Sequence, residues 1–184
     1  MEIKVLGDSN QKGTSFELIM ASVLDELGYK KIGSNIEPTG MELDIEAMHK
    51  TKGNKVLCEC KAHEEKINSE DIRKFYGNLN IEIEKGVVDE GFFFSTSGFS
   101  DNVHRMYHDT AERTKVKMTL FDSDKIVELF RQANLLAPDE VIDSVIKTNT
   151  NYGIGKRYVV IYQSALYIAQ PYVRNSADIQ LATA

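Results

Sequence analysis

Asp44, Glu59 and Lys61 are the residues whose types and spacing suit one particular chemistry. Two carboxylates can hold a divalent cation, since Mg²⁺ commonly takes one or two acids and keeps several waters. A lysine beside them can orient the attacking water or offset the charge that builds on phosphorus. Two acids and a lysine are what metal-assisted phosphodiester hydrolysis asks for.

A predicted hairpin positions these groups. In Glu42-Leu43-Asp44-Ile45-Glu46-Ala47-Met48 apolar and acidic residues alternate, which reads as a strand with one wet face. Thr51-Lys52-Gly53-Asn54 is turn chemistry, and Lys55 to Lys61 is the returning strand. Leu43, Ile45 and Ala47 should share a core with Val56, Cys58 and Cys60. The opposite face then carries Asp44, Glu59 and Lys61. A turn centred near Thr51-Lys52 sets Asp44 across from Glu59, with Cβ atoms about 4.5–5.5 Å apart. Such carboxylates repel, and a cation between them removes the repulsion. The competing structural reading is an exposed hairpin with alternating charges, held by an Asp44–Lys61 diagonal pair. Residue types and spacing alone leave both readings open.

The rest of the chain predicts an α/β domain. Residues 2–6 suggest a short strand. Phe16, Ile19, Met20, Val23, Leu24 and Leu27 form one stripe of a helix from about Ser15 to Leu27, ended by Gly28. Thr14-x-x-Glu17 then reads as its capping box. Gly33, Pro38 and Gly40 suggest a loop. Asn68-Ser69 can cap a helix with Ile72, Phe75 and Leu79 on one face. The apolar run Gly91-Phe92-Phe93-Phe94 suggests a central strand covered on both faces. A helix from Ser100, a strand over Val116–Phe121 and a helix with Ile126, Val127, Leu129 and Phe130 follow. Beyond Pro138 come a short helical piece and two β-rich runs meeting at Gln163-Ser164, which suggest a hairpin. The last residues trail off in small and polar types.

The 184 residues carry a net charge of −6, which argues against a passive nucleic-acid coater but leaves room for local basic clusters. Lys50, Lys52 and Lys55 form one such cluster; Lys115, Lys117 and Lys156-Arg157 supply others, and solvated surface is the preferred reading for most of them. Cys58 and Cys60 sit two apart on one strand, where they cannot form an ordinary disulfide. They lack the spacing of a zinc site and read as core residues. A reduced, cytoplasmic protein follows as the expectation. No apolar run reaches the length of a membrane span. His63 follows the Glu-x-Lys strand; His104 and His108 are spaced to share a metal, but read better as a solvated helix face. His104 and Arg105 stand near a helix start, where phosphate can bind. Gly153-x-Gly155 is too short for a phosphate loop, and no P-loop is present.

These residues resemble the PD-(D/E)xK restriction-endonuclease-like superfamily, and within it the Mrr-type restriction endonucleases. The likeness begins at Gly13-Thr14-Ser15-Phe16-Glu17, runs through Leu27-Gly28-Tyr29 and Asp44, includes Cys58-Glu59-Cys60-Lys61, and ends with Phe94-Ser95-Thr96-Ser97-Gly98-Phe99-Ser100. It covers about residues 10–130. The approach to Asp44 departs from the family's glycine-rich pattern, because Glu42 and Leu43 follow Gly40. The resemblance implies a restriction-endonuclease-like mixed β-sheet flanked by helices, with a C-terminal helical piece and β-hairpin added here. It implies a magnesium-dependent endonuclease, in which Mn²⁺ can substitute, acting on DNA, often in prokaryotic anti-phage defence. Asp44 and Glu59 would hold the metal, Lys61 would assist the water, and Glu17 would join the acidic site as a further metal ligand, alongside or instead of its capping role. A silent nucleic-acid-binding copy of the fold, or a cutter of RNA or junctions, are the alternatives. The expected division is a nuclease domain over residues 1–135 and a C-terminal extension, or the start of a further module, over 136–184. The chain is expected to be the N-terminal effector part of a longer protein. DNA is the expected partner, no membrane is expected, and a homo-oligomer stays open.

Overall fold

The computed structural model describes residues 1–36, 43–111, 116–148, 156–163, 165–171 and 179–183. A short strand, β1 (Glu2–Val5), leads into helix α1 (Ser9–Glu26). The helix begins earlier than its apolar stripe suggests. Asp8 is the N-cap: its side chain accepts from the Gln11 amide at 2.9 Å, and Gln11 returns a bond to the Asp8 amide. This capping box replaces the one expected at Thr14 and Glu17. Residues 8–11 are exposed, so the first turn carries no hydrophobic period to announce it. Phe16, Ile19, Met20, Val23 and Leu24 are buried, as the stripe requires.

A five-stranded sheet follows in the order β2-β3-β4-β5-β6. Its strands are β2 (Tyr29–Ile36), β3 (Leu43–His49), β4 (Lys55–Lys61), β5 (Glu90–Ser95) and β6 (Met118–Phe121). β2 occupies the first part of the stretch expected to be a loop; Pro38 and Gly40 lie outside the described residues. It is an edge strand whose register shifts between Lys31 and Gly33, and that bulge breaks the two-residue period. β2–β3–β4 is antiparallel, while β4–β5 and β5–β6 are parallel. The parallel crossovers run through α2 (Ser69–Glu84), capped by Asn68, and α3 (Asp101–Ala111). Helix α4 (Ser123–Gln132) follows β6, capped by Asp122.

After α5 (Asp139–Thr148), the strands β7 (Tyr158–Tyr162) and β8 (Ala165–Pro171) form the expected hairpin. A further strand, β9 (Ile179–Thr183), pairs with β8 where a polar tail was expected. Five residues alternating Ile, Gln, Leu, Ala and Thr are too few to stand out by period. β1 pairs in parallel with β7, so these strands make a second sheet in the order β1-β7-β8-β9. The architecture is mixed α/β.

The large sheet is buried on both faces, and a core lies on each. On one side α1, α4 and the second sheet pack over Ile45, Val56, Cys58, Cys60, Phe92 and Phe94. On the other, α2 and α3 pack over Leu57, Phe93 and Leu120. β5 is covered on both sides, as its run of phenylalanines predicts. Among the described residues no helix is long and apolar enough to cross a membrane.

Candidate active site

β3 and β4 pair with Ile45 opposite Cys58 and Ala47 opposite Val56. One step beyond Ile45–Cys58 the same register sets Asp44 level with Glu59. The main-chain ladder stops there. The Asp44 carboxylate takes its place, with Oδ2 accepting from the Cys60 amide at 2.6 Å. This bond orients the acid toward the end of β4. Leu43 does not share the core of Ile45 and Ala47, as strict alternation predicts; it packs with Leu57 under α2.

The expected wet face is not wet. Glu59 is only 6% exposed, on a strand held between β3 and β5. Burial first, then the Asp44 carboxylate, pushes the Glu59 pKa up to about 7, against the pull of the Lys61 ammonium; Glu17 adds a further upward push. Lys61 Nζ forms an ion pair with Glu59 Oε1. Burial pushes the Lys61 pKa down, but Glu59 and then Asp44 push it up, and the net shift is upward. Lys61 therefore stays a cation. The exposed hairpin braced by an Asp44–Lys61 pair is not what forms.

Glu17 projects from the middle of α1, partly buried, and its charge is felt at both Glu59 and Cys60. With the helix capped at Asp8, no capping role remains for it. Four groups thus come together from three elements: Glu17, Asp44, Glu59 and Lys61.

Their chemistry fits a divalent cation. Glu59 Oε2 is buried without a hydrogen-bond partner, which is costly for a carboxylate oxygen unless something charged meets it. Burial first, and then the neighbouring Asp44 and Glu17 carboxylates, raise the Glu59 pKa, so the cluster gains by taking up positive charge. Among the described residues no three His, Cys, Asp or Glu side chains make a ready cage. Magnesium does not need one, because water completes its shell.

The turn after β5 holds the segment beyond Lys61. The Thr96 amide donates to the Lys61 carbonyl at 3.1 Å, and Thr96 Oγ1 donates to the His63 carbonyl at 3.3 Å. Ser97 Oγ donates to the Glu65 carbonyl at 2.6 Å, and the buried Ser95 hydroxyl donates to the Gly98 carbonyl at 3.1 Å. These roles were not read from the sequence; the serine and threonine cluster itself was the available signal. Cys58 and Cys60 are buried free thiols, both pushed up in pKa by burial first and the Asp44 carboxylate next. That leaves them inert core residues. Arg105 bonds Asn102 at 2.6 Å, and His104 packs edge-on against Phe99. Lys50 pairs with Asp25 at 2.8 Å, and Lys156 pairs with Glu2.

No curated protein matches the chain. Thirteen solved chains do. They include a repair endonuclease from Pyrococcus abyssi (13% identity, TM-score 0.45, covering 64% of this chain and 49% of that one). MspJI restriction endonuclease with a 27-mer oligonucleotide also matches (14% identity, TM-score 0.45, 74% and 32% covered). A protein of unknown function matches at 18% identity and TM-score 0.49, with 73% and 77% covered. The chain thus spans about half the length of the repair endonuclease it matches. The restriction endonuclease family model Mrr_cat matches residues 9–130, a stretch that runs from the first residue of α1 into α4 and contains all four charged groups of the site. The chain belongs to this Mrr_cat family of restriction endonucleases.

Proposed function

We propose that this chain is a metal-dependent DNA endonuclease that hydrolyses phosphodiester bonds at Asp44, Glu59 and Lys61, with Glu17 in support. The observation that carries the reading is the buried, unpartnered Glu59 Oε2 beside a second carboxylate and a cationic lysine, in a chain of a restriction endonuclease family. Asp44 and Glu59 would hold Mg²⁺ or Mn²⁺, and Glu17 would add negative charge behind them. A divalent ion there supplies the positive charge that activates water and neutralises the scissile phosphate.

The chain's own residues do the rest. The Cys60 amide fixes Asp44 in one orientation. The Lys61 ammonium is carried at the end of β4, where it can leave Glu59 and stabilise the charge that develops on a phosphate oxygen. The burial of Glu59 keeps the local dielectric low, which strengthens that interaction. Family membership motivates a role as the effector of a prokaryotic anti-phage system, with further domains beyond this stretch.

The test is incubation with supercoiled plasmid, linear duplex, single-stranded DNA and RNA, each with Mg²⁺, Mn²⁺ or EDTA. Nicking or linearisation of DNA that EDTA stops is the expected result. Cleavage that survives EDTA, or of RNA alone, would refute the reading.

A further inference from the structure

A cleft of about 350 Å³ lies between β1, the first turn of α1 and the segment that follows Lys61. Lys4 reaches it from β1, Lys12 from α1 and Lys66 from the connection between β4 and α2. Three ammonium groups from three separate elements repel one another, in a chain whose net charge is −6. Two carboxylates also line the cleft: Glu2, which pairs with Lys156, and Glu64. Glu64 Oε1 lies 3.0 Å from Lys12 Nζ, and its side chain is 85% exposed. The hydrogen bond from Lys12, its charge and then that of Lys4 hold the Glu64 carboxyl below its ordinary value. Lys66 forms no salt bridge with a described residue. The cleft opens directly off the catalytic strand, because Ala62 and His63 line it immediately after Lys61. Along α1, Lys12 stands five residues before Glu17, which is about 7.5 Å of helix rise.

We propose that this cleft holds the DNA backbone next to the scissile phosphate, with Lys4, Lys12 and Lys66 replacing its counterions, and that Glu64 holds the anion's place until DNA arrives. The proposal rests on the reading of Asp44, Glu59 and Lys61 as a cleavage site. It explains how an acidic protein gathers local positive charge where a polyanion must lie. It also gives the second sheet a part in substrate binding, since Lys4 stands on a strand of that sheet.

The experiment is fluorescence anisotropy of a short labelled DNA duplex against the full chain in Mg²⁺, across a range of salt, in a Lys61→Ala background that does not cut. Replacing Lys4, Lys12 and Lys66 together by Gln should weaken binding about tenfold or more and make the salt dependence shallower by about one to three units of slope. Lys66→Gln alone should show part of the loss, which guards against a triple variant that folds poorly. Glu64→Gln should tighten binding, because it removes the competing anion. Lys52→Gln with Lys117→Gln, both exposed, serves as the surface-charge control and should change affinity little. The proposal is overturned if the lysine variants bind like their parent, if the control loses as much, if Glu64→Gln weakens binding, or if the parent binds no duplex. Cleavage is read separately on the chain with Lys61 intact. DNA binding through the cleft without any cleavage would refute the proposed function and keep the cleft. Cleavage with binding indifferent to the lysines would do the reverse.

Discussion

Glu59 is a carboxylate placed where a carboxylate is costly, and its environment makes a claim that pH can test. An ordinary glutamate is ionised above 4.5, but burial and then Asp44 let Glu59 keep its proton up to about 7. Between those values the native chain binds more protons than the unfolded one, so stability falls as pH rises. Without metal, unfolding free energy should therefore drop between about pH 4.5 and 7, by on the order of 3 kcal/mol at most. Glu59→Gln should flatten that slope in denaturant titrations; an unchanged slope would place the effect elsewhere. Glu17 makes a second claim. Since Asp8 caps α1, Asp8→Ala should cost about 1 kcal/mol. Glu17→Gln should cost less than about 0.5 kcal/mol, yet slow cleavage about 10–100-fold. Melts beside cleavage rates separate the two. Asp44, Glu59 and Lys61 were legible in the sequence because a strand's two-residue period fixes which side chains share a face. The burial of Glu59 was not, since it depends on elements distant in the chain packing around β4.

At the scale of elements, the helices and central strands follow from their periods, and the misses share a cause. The first turn of α1, the bulged edge strand β2 and the short β9 lack a buried repeat long enough to read. β5 shows how tightly the sheet and α2 fit together. A Cβ added at Gly91 would lie 2.4 Å from Leu79 Cδ2 and 3.0 Å from Phe75 Cζ, both rooted in α2. Gly91→Ala should destabilise the chain by about 1–3 kcal/mol through overpacking. It should also disturb cleavage, because β5 pairs with β4 along its length, with Phe93 opposite Glu59. A thermal melt indistinguishable from the parent would mean that α2 packs more loosely than these distances state.

For the whole molecule, the pairing of β1 with β7 joins the two ends of the chain. Ile3 and Val5 from β1, Ile142 from α5 and Val159 and Ile161 from β7 enter the same core as α1 and the face of β4 that carries Cys58 and Cys60. This long-range closure was not legible in the sequence, since the partners stand 156 residues apart, as Glu2 and Tyr158 show, and neither segment announces the other. Removing residues from 136 onward should strip β1 of its partner, uncover that core and lower the melting temperature by more than about 5 °C. Equal melting of the shortened and full chains would contradict it.

The central claim is that Asp44 belongs to a metal-dependent cleavage site. It is tested most directly by the rate at which supercoiled plasmid is cut in Mg²⁺ by the parent chain and by Asp44→Ala, side by side. Asp44→Ala should stay folded, because removing one of two neighbouring carboxylates relieves repulsion. Its cleavage rate should fall at least about 100-fold. Undiminished cutting by folded Asp44→Ala would contradict the account.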